Sequence, residues 1–162
     1  MKRLTFLLLL VFLPGVVGVS AWGSSPPIRR DSRSAKLDGR RVHYESHGSG
    51  REAFVLIHGW TCDLGFWRSQ IPDLSKRARV IAIDLPGHGQ SDKPEIAYTM
   101  DLFARSVDAV MVDAGVERAV LVGHSMGTPV ARQFYRKYPK KTLGVVIVDG
   151  LLRALGDRKM ME

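Results

Sequence analysis

Four short apolar runs, each closed by a glycine-containing turn, constrain this chain more than any other feature. They are residues 53–57 before His58-Gly59, 80–85 before Pro86-Gly87, 119–122 before Gly123, and 143–148 before Asp149-Gly150. Each is rich in β-branched residues, lacks polar alternation and is short, which suits a strand covered on both faces. Helical patterns separate them. Phe103, Val107, Val110, Met111 and Ala114 recur at three- and four-residue steps, with Gly115 as the stop signal. Val130, Phe134 and Tyr138 form a second stripe that Pro139 ends. Strands alternating with helices imply an α/β chain: a mostly parallel sheet with crossover helices. Ahead of this, residues 35–46 read as a hairpin around Asp38-Gly39, with Val42 and Tyr44 alternating with polar neighbours.

Gly123-His124-Ser125-Met126-Gly127 matches G-x-S-x-G and falls between a buried strand and a helical stripe. That setting gives the motif its meaning. A sharp strand-to-helix turn holds the serine hydroxyl above the sheet on a strained backbone, and the flanking glycines remove collisions with strand and helix. The following helix aims its N-terminal end at the site and favours an oxyanion there. Pro129 lies in the first turn, where a missing N–H is tolerated.

Three motifs together carry a family resemblance: Ile57-His58-Gly59-Trp60, Asp84-Leu85-Pro86-Gly87-His88-Gly89-Gln90-Ser91-Asp92, and the Ser125 turn. In order and spacing the chain resembles the α/β-hydrolase family, in its lipase, esterase and peptidase-like branch, from residue 35 to about residue 150. The resemblance implies the α/β-hydrolase fold, with Ser125 as nucleophile and the backbone amides of Trp60 and Met126 as oxyanion donors. It implies structural roles for His58 and for the loop from Asp84 to Asp92, where His88 is expected as a hydrogen-bonded loop residue. The reaction expected is cleavage of an ester, lactone, thioester or amide through an acyl-Ser125 intermediate, on a small-molecule acyl substrate and with no cofactor. The loop ending Ser91-Asp92-Lys93-Pro94 also resembles epoxide hydrolases and haloalkane dehalogenases. Those use an aspartate nucleophile, and Ser125 argues against both chemistries.

A serine hydroxyl needs a base, and usually an acid that orients the base. In this fold the chain order is serine, acid, histidine. All five histidines (His43, His47, His58, His88 and His124) precede Ser125. Asp149 is the one candidate acid. Some branches of the family take their acid from that strand end and most from the next strand, so a structural role for Asp149 stays open. The family fold has two further strands, so the sheet is expected to be incomplete at the C-terminus and the chain to be a fragment, inactive alone. A non-catalytic binding module is a second reading. A third is a split enzyme completed by a second chain.

The N-terminus reads as a targeting segment: Lys2 and Arg3, an apolar stretch from Leu4 to Leu13, and small residues around Ala21. The expected organisation is a signal peptide over residues 1–21, a linker over 22–34, the N-terminal portion of the hydrolase domain over 35–150, and the start of a lid or a truncated tail over 151–162. The product would be secreted or periplasmic, with an N-terminal membrane anchor as the alternative and membrane contact otherwise confined to export. The net charge of +8 comes with no nucleic-acid module, so a solvated basic face is expected. No His, Cys, Asp or Glu spacing suggests a metal site. The single cysteine, Cys62, allows no intrachain disulfide.

Overall fold

The computed structural model describes residues 30–150. The expected signal peptide, the first eight linker residues and the expected lid or tail lie outside the described residues. Six strands form one sheet: β1 (Arg30–Leu37), β2 (Arg40–His47), β3 (Glu52–Ile57), β4 (Arg79–Ile83), β5 (Arg118–His124) and β6 (Thr142–Val148). Their order across the sheet is β1-β2-β4-β3-β5-β6. The last four run parallel, and the β1-β2 hairpin pairs antiparallel on the β4 side. A short helix, α1 (Ile71–Leu74), precedes β4. Helices α2 (Met100–Ala114) and α3 (Gly127–Lys137) flank β5 in sequence.

The hairpin turns where two residues accept positive φ, Asp38 at +49° and Gly39 at +76°. Positive φ at both central residues is the geometry of a type I′ hairpin turn, whose twist matches that of the flanking strands. β1 begins at Arg30, so residues 30–34 are strand and not linker. Their charged and hydroxyl side chains hid this. An edge strand is held by the ladder to its neighbour and can leave one face in water, so it carries no apolar run.

The two helical stripes fold as their spacing requires. Phe103, Val107, Val110, Met111 and Ala114 all face the core of α2. Burying large apolar side chains of this kind contributes about 1.5–3 kcal/mol each. The Thr99 hydroxyl accepts from the Leu102 amide at 3.1 Å and starts the helix. Gly115 ends it at φ +67°. On α3, Val130, Ala131 and Phe134 are buried.

β3, β4 and β5 are covered on both faces, as continuous apolar runs require. β6 departs from that expectation: Leu143, Val145 and Val146 are exposed. Its sequence has the character of an interior strand, but it occupies an edge of the sheet among the described residues.

Candidate active site

The carboxyl ends of β3, β4 and β5 converge on one place. Ser125 follows β5 at φ +49°, a left-handed conformation that a serine adopts only when its surroundings impose it. The constraint is steric. A Cβ on Gly123 would lie 2.4 Å from the Gly127 carbonyl oxygen, and one on Gly127 would lie 2.3 Å from the Ile57 carbonyl oxygen. Neither position tolerates a side chain, so the turn brings β5, the start of α3 and the end of β3 into direct backbone contact. The Thr128 amide donates to the Ser125 carbonyl at 3.0 Å, and the Ser125 amide donates to the Val148 carbonyl at 3.1 Å. The Thr128 hydroxyl donates back to the Gly123 carbonyl at 3.2 Å.

The loop after β3 packs against this turn. A Cβ on Gly59 would come within 3.2 Å of the Ser125 Cβ. His58 sets the loop. Its Nδ1 donates to the Gly59 carbonyl at 2.7 Å, and its Nε2 accepts from the Leu85 amide at 3.0 Å. Both nitrogens are thereby occupied and the tautomer is fixed. Burial holds its pKa below the usual histidine value, only partly opposed by the bond to Gly59. His58 is a neutral strut between the ends of β3 and β4. Trp60 follows with an exposed ring, and Thr61 takes φ +59°. Among the described residues, neither the Trp60 amide nor the Met126 amide donates to a backbone carbonyl.

The second motif wraps one carboxylate. Asp84, 1% exposed, accepts at Oδ2 from His43 Nδ1 at 2.8 Å and from the Gln90 amide at 2.9 Å, and at Oδ1 from the Leu64 amide at 2.7 Å. Gly89, at φ +49°, passes so close that a Cβ would sit 2.2 Å from this carboxyl group. His88 donates from Nδ1 to the Pro86 carbonyl at 3.1 Å and packs its ring near His58 and Trp60. A cavity of about 350 Å³ opens between this loop and the one after β3, lined by Trp60, Cys62, Asp63, His88, Lys93 and Tyr98.

None of the five histidines is hydrogen-bonded to Ser125. His43 bonds Asp84, His47 bonds Glu45 at 3.2 Å, and His58 and His88 bond loop backbone. His124 stacks on Phe66 at 4.1 Å between ring centroids, and its Nδ1 is buried without a hydrogen-bond partner among the described residues. Asp149 is exposed at φ +45°, directly after β6 and one strand across from the serine turn. It forms no hydrogen bond with a histidine among the described residues. The structure also holds a grouping that the sequence pattern did not reveal. The Ser32 hydroxyl lies 2.9 Å from His43 Nε2, whose other nitrogen bonds Asp84. These residues are far apart in sequence and carry no spacing signature; only the register of the hairpin against β4 unites them.

Among the described residues, no group of three or more histidine, cysteine, aspartate or glutamate side chains could hold a metal ion. No helix there is long and apolar enough to cross a membrane.

A mostly parallel sheet with a strained serine between β5 and α3, braced by two glycines, defines a hydrolase-type α/β protein. The chain belongs to the α/β hydrolase fold family, whose sequence profile matches residues 52–160. It is 40% identical over 115 residues to the dihydrolipoyllysine-residue acetyltransferase component of the acetoin cleaving system of Cupriavidus necator, covering 71% of this chain and 31% of that protein. It is 37% identical over 125 residues to a soluble epoxide hydrolase of Corynebacterium sp., covering 74% and 43%. A solved N-acyl homoserine lactone degrading enzyme superposes with a TM-score of 0.70 at 34% identity, covering 73% of this chain and 45% of that one. The chain spans less than half the length of each.

Proposed function

We propose that this chain carries the nucleophile and oxyanion portion of a serine hydrolase that cleaves an ester, lactone, thioester or amide through an acyl-Ser125 intermediate. The observation that carries this reading is the imposed φ of +49° at Ser125, between two glycines that admit no Cβ. Strain of this kind persists where the surrounding structure over-determines it, and here it lifts one hydroxyl above the strand ends. The amides of Trp60 and Met126 are the oxyanion donors in this reading. Loss of one such donor typically lowers rate by about 100- to 1000-fold. The similarity to a lactone-degrading enzyme supports a carbonyl substrate. A serine at the nucleophile position supports acyl chemistry over epoxide opening, despite the similarity to an epoxide hydrolase.

The reaction also needs an imidazole bonded to Ser125, and none of the five histidines makes that hydrogen bond among the described residues. Asp149 is the carboxylate the chain offers for orienting such a base. Turnover by the chain alone is therefore expected to be slow. A serine held on an oxyanion turn retains about 1000-fold over water without its full triad, far below an efficient enzyme. The same placement of the histidines favours a second reading, a binding module that keeps the hydrolase scaffold. Fluorophosphonate labelling separates the two. A covalent adduct mapped to Ser125, and lost in Ser125→Ala, supports the hydrolase. No adduct at Ser125 even with added imidazole supports the binding module.

Export by an N-terminal signal peptide belongs to this proposal as well, supported by the Lys2-Arg3 start and the apolar stretch after it. N-terminal sequencing of the exported protein tests it.

A further inference from the structure

Ser32, His43 and Asp84 form a hydrogen-bonded relay outside the Ser125 site. Ser32 stands on β1, where its register partner on β2 is Glu45, and its hydroxyl reaches diagonally to His43 on the same face. The direction of each bond follows from what its partners can do. A buried carboxylate accepts only, so His43 Nδ1 carries the proton and donates to Asp84 at 2.8 Å. In the neutral imidazole Nε2 presents a lone pair to the Ser32 hydroxyl, 2.9 Å away.

The setting is asymmetric in a useful way. His43 is 4% exposed and Asp84 1%, while Ser32 is exposed. The base is dry and fixed, and the nucleophile is open to reagents. Two further amides, from Leu64 and Gln90, hold Asp84 in place. A hydroxyl on a base that a third group orients is the arrangement that activates serine, wherever it occurs on a fold.

We propose that Ser32 is an acylation site for activated acyl donors: thioesters, aryl esters or acyl phosphates. The Ser32 oxygen attacks the carbonyl carbon while its proton passes to His43 Nε2. The bond from carbonyl carbon to leaving group then breaks, and His43 returns the proton to the leaving group. The products are an ester on Ser32, the protonated leaving group and a neutral His43. Ser32 sits mid-strand, where neighbouring amides point in opposite directions and none converge on an oxyanion. Release is therefore slow, and the site takes one acyl group rather than turning over.

Ser34 provides an internal control. It is exposed on the same strand, and its hydroxyl makes no hydrogen bond with another described residue. The test treats full-length Ser125→Ala with p-nitrophenyl acetate and maps acetyl groups by mass spectrometry. Acetylation of Ser32 should exceed that of Ser34 by about 100-fold, the lower end of what a positioned base supplies. His43→Gln should bring the two to parity, as should unfolding in urea. Equal acetylation of Ser32 and Ser34 in the folded Ser125→Ala protein overturns the proposal, and that outcome does not depend on whether His43→Gln folds. A ratio unchanged by a folded His43→Gln overturns it too. Because Ser125 is absent throughout, neither result bears on the elbow.

Discussion

Ser125 sits at φ +49° on a turn that two glycines make possible, beside the loop that carries Trp60, and no imidazole among the described residues is hydrogen-bonded to it. Ser32 sits in mid-strand, with His43 2.9 Å away and Asp84 behind it, and no converging amides face it. In the proposed reading, one serine has the scaffold for stabilising a transition state and the other has the base. Backbone geometry builds the first: the tight approach of β5, α3 and β3 fixes it whatever the histidines do. Register builds the second, because β2 and β4 must pair in one alignment to bring His43 onto Asp84. On that reading, the two requirements of serine catalysis lie at different places on one sheet.

The largest expected effect comes from breaking the elbow. Gly127→Ala would place a Cβ 2.3 Å from the backbone oxygen of Ile57, which has no flexible end to yield. Loss of more than about 4 kcal/mol of stability is expected, with Ser125 labelling falling to background, as urea unfolding and site mapping would show. A folded Gly127→Ala that still labels at Ser125 would mean that the turn does not need its glycine.

Breaking the relay should have a smaller effect. Asp84→Asn replaces one carboxylate oxygen by a donor, so one of the amides or His43 loses its acceptor. About 2–3 kcal/mol is expected in urea unfolding, with the preference for Ser32 over Ser34 abolished. Gly39→Ala tests a turn with the opposite character. At φ +76° an alanine there is strained, yet nothing lies within 4 Å of its Cβ. The expected loss is about 1 kcal/mol, with labelling at both serines unchanged.

The mildest perturbation is acid. Burial keeps His58 neutral in the folded chain, with its pKa below the ordinary 6.5. The unfolded chain takes up that proton near the ordinary value, so between there and the lowered folded value it binds more protons than the folded one. The contribution of His58 is complete above about pH 6.5 and declines as pH falls below it. Urea midpoints that decrease from pH 7 to pH 5, and a flatter profile in His58→Gln, are the expected outcome.

Much of this was legible in the sequence, for identifiable reasons. The interior strands announced themselves because burial on both faces leaves no room for polar residues. The Ser125 turn was readable because its glycines answer collisions that lie within a few residues of chain. β1 was cut short because an edge strand can carry Arg33, Ser32 and Ser34 and still pair. The exposure of β6 was legible too: its apolar run fits an interior strand, and with no further strand beside it among the described residues it is left as an uncovered edge. The Ser32–His43–Asp84 relay was invisible because its members meet only through strand order, which single residues do not encode.

We propose that the Ser125 turn is built for acyl transfer and that no histidine among the described residues serves it as a base. The direct measurement is the rate of fluorophosphonate labelling at Ser125 and at Ser32 as imidazole is added to the full-length chain. Labelling of Ser125 is expected to rise with imidazole, while Ser32, already served by His43, is expected not to respond. Unchanged labelling of Ser125, or equal acceleration at both serines, would contradict it.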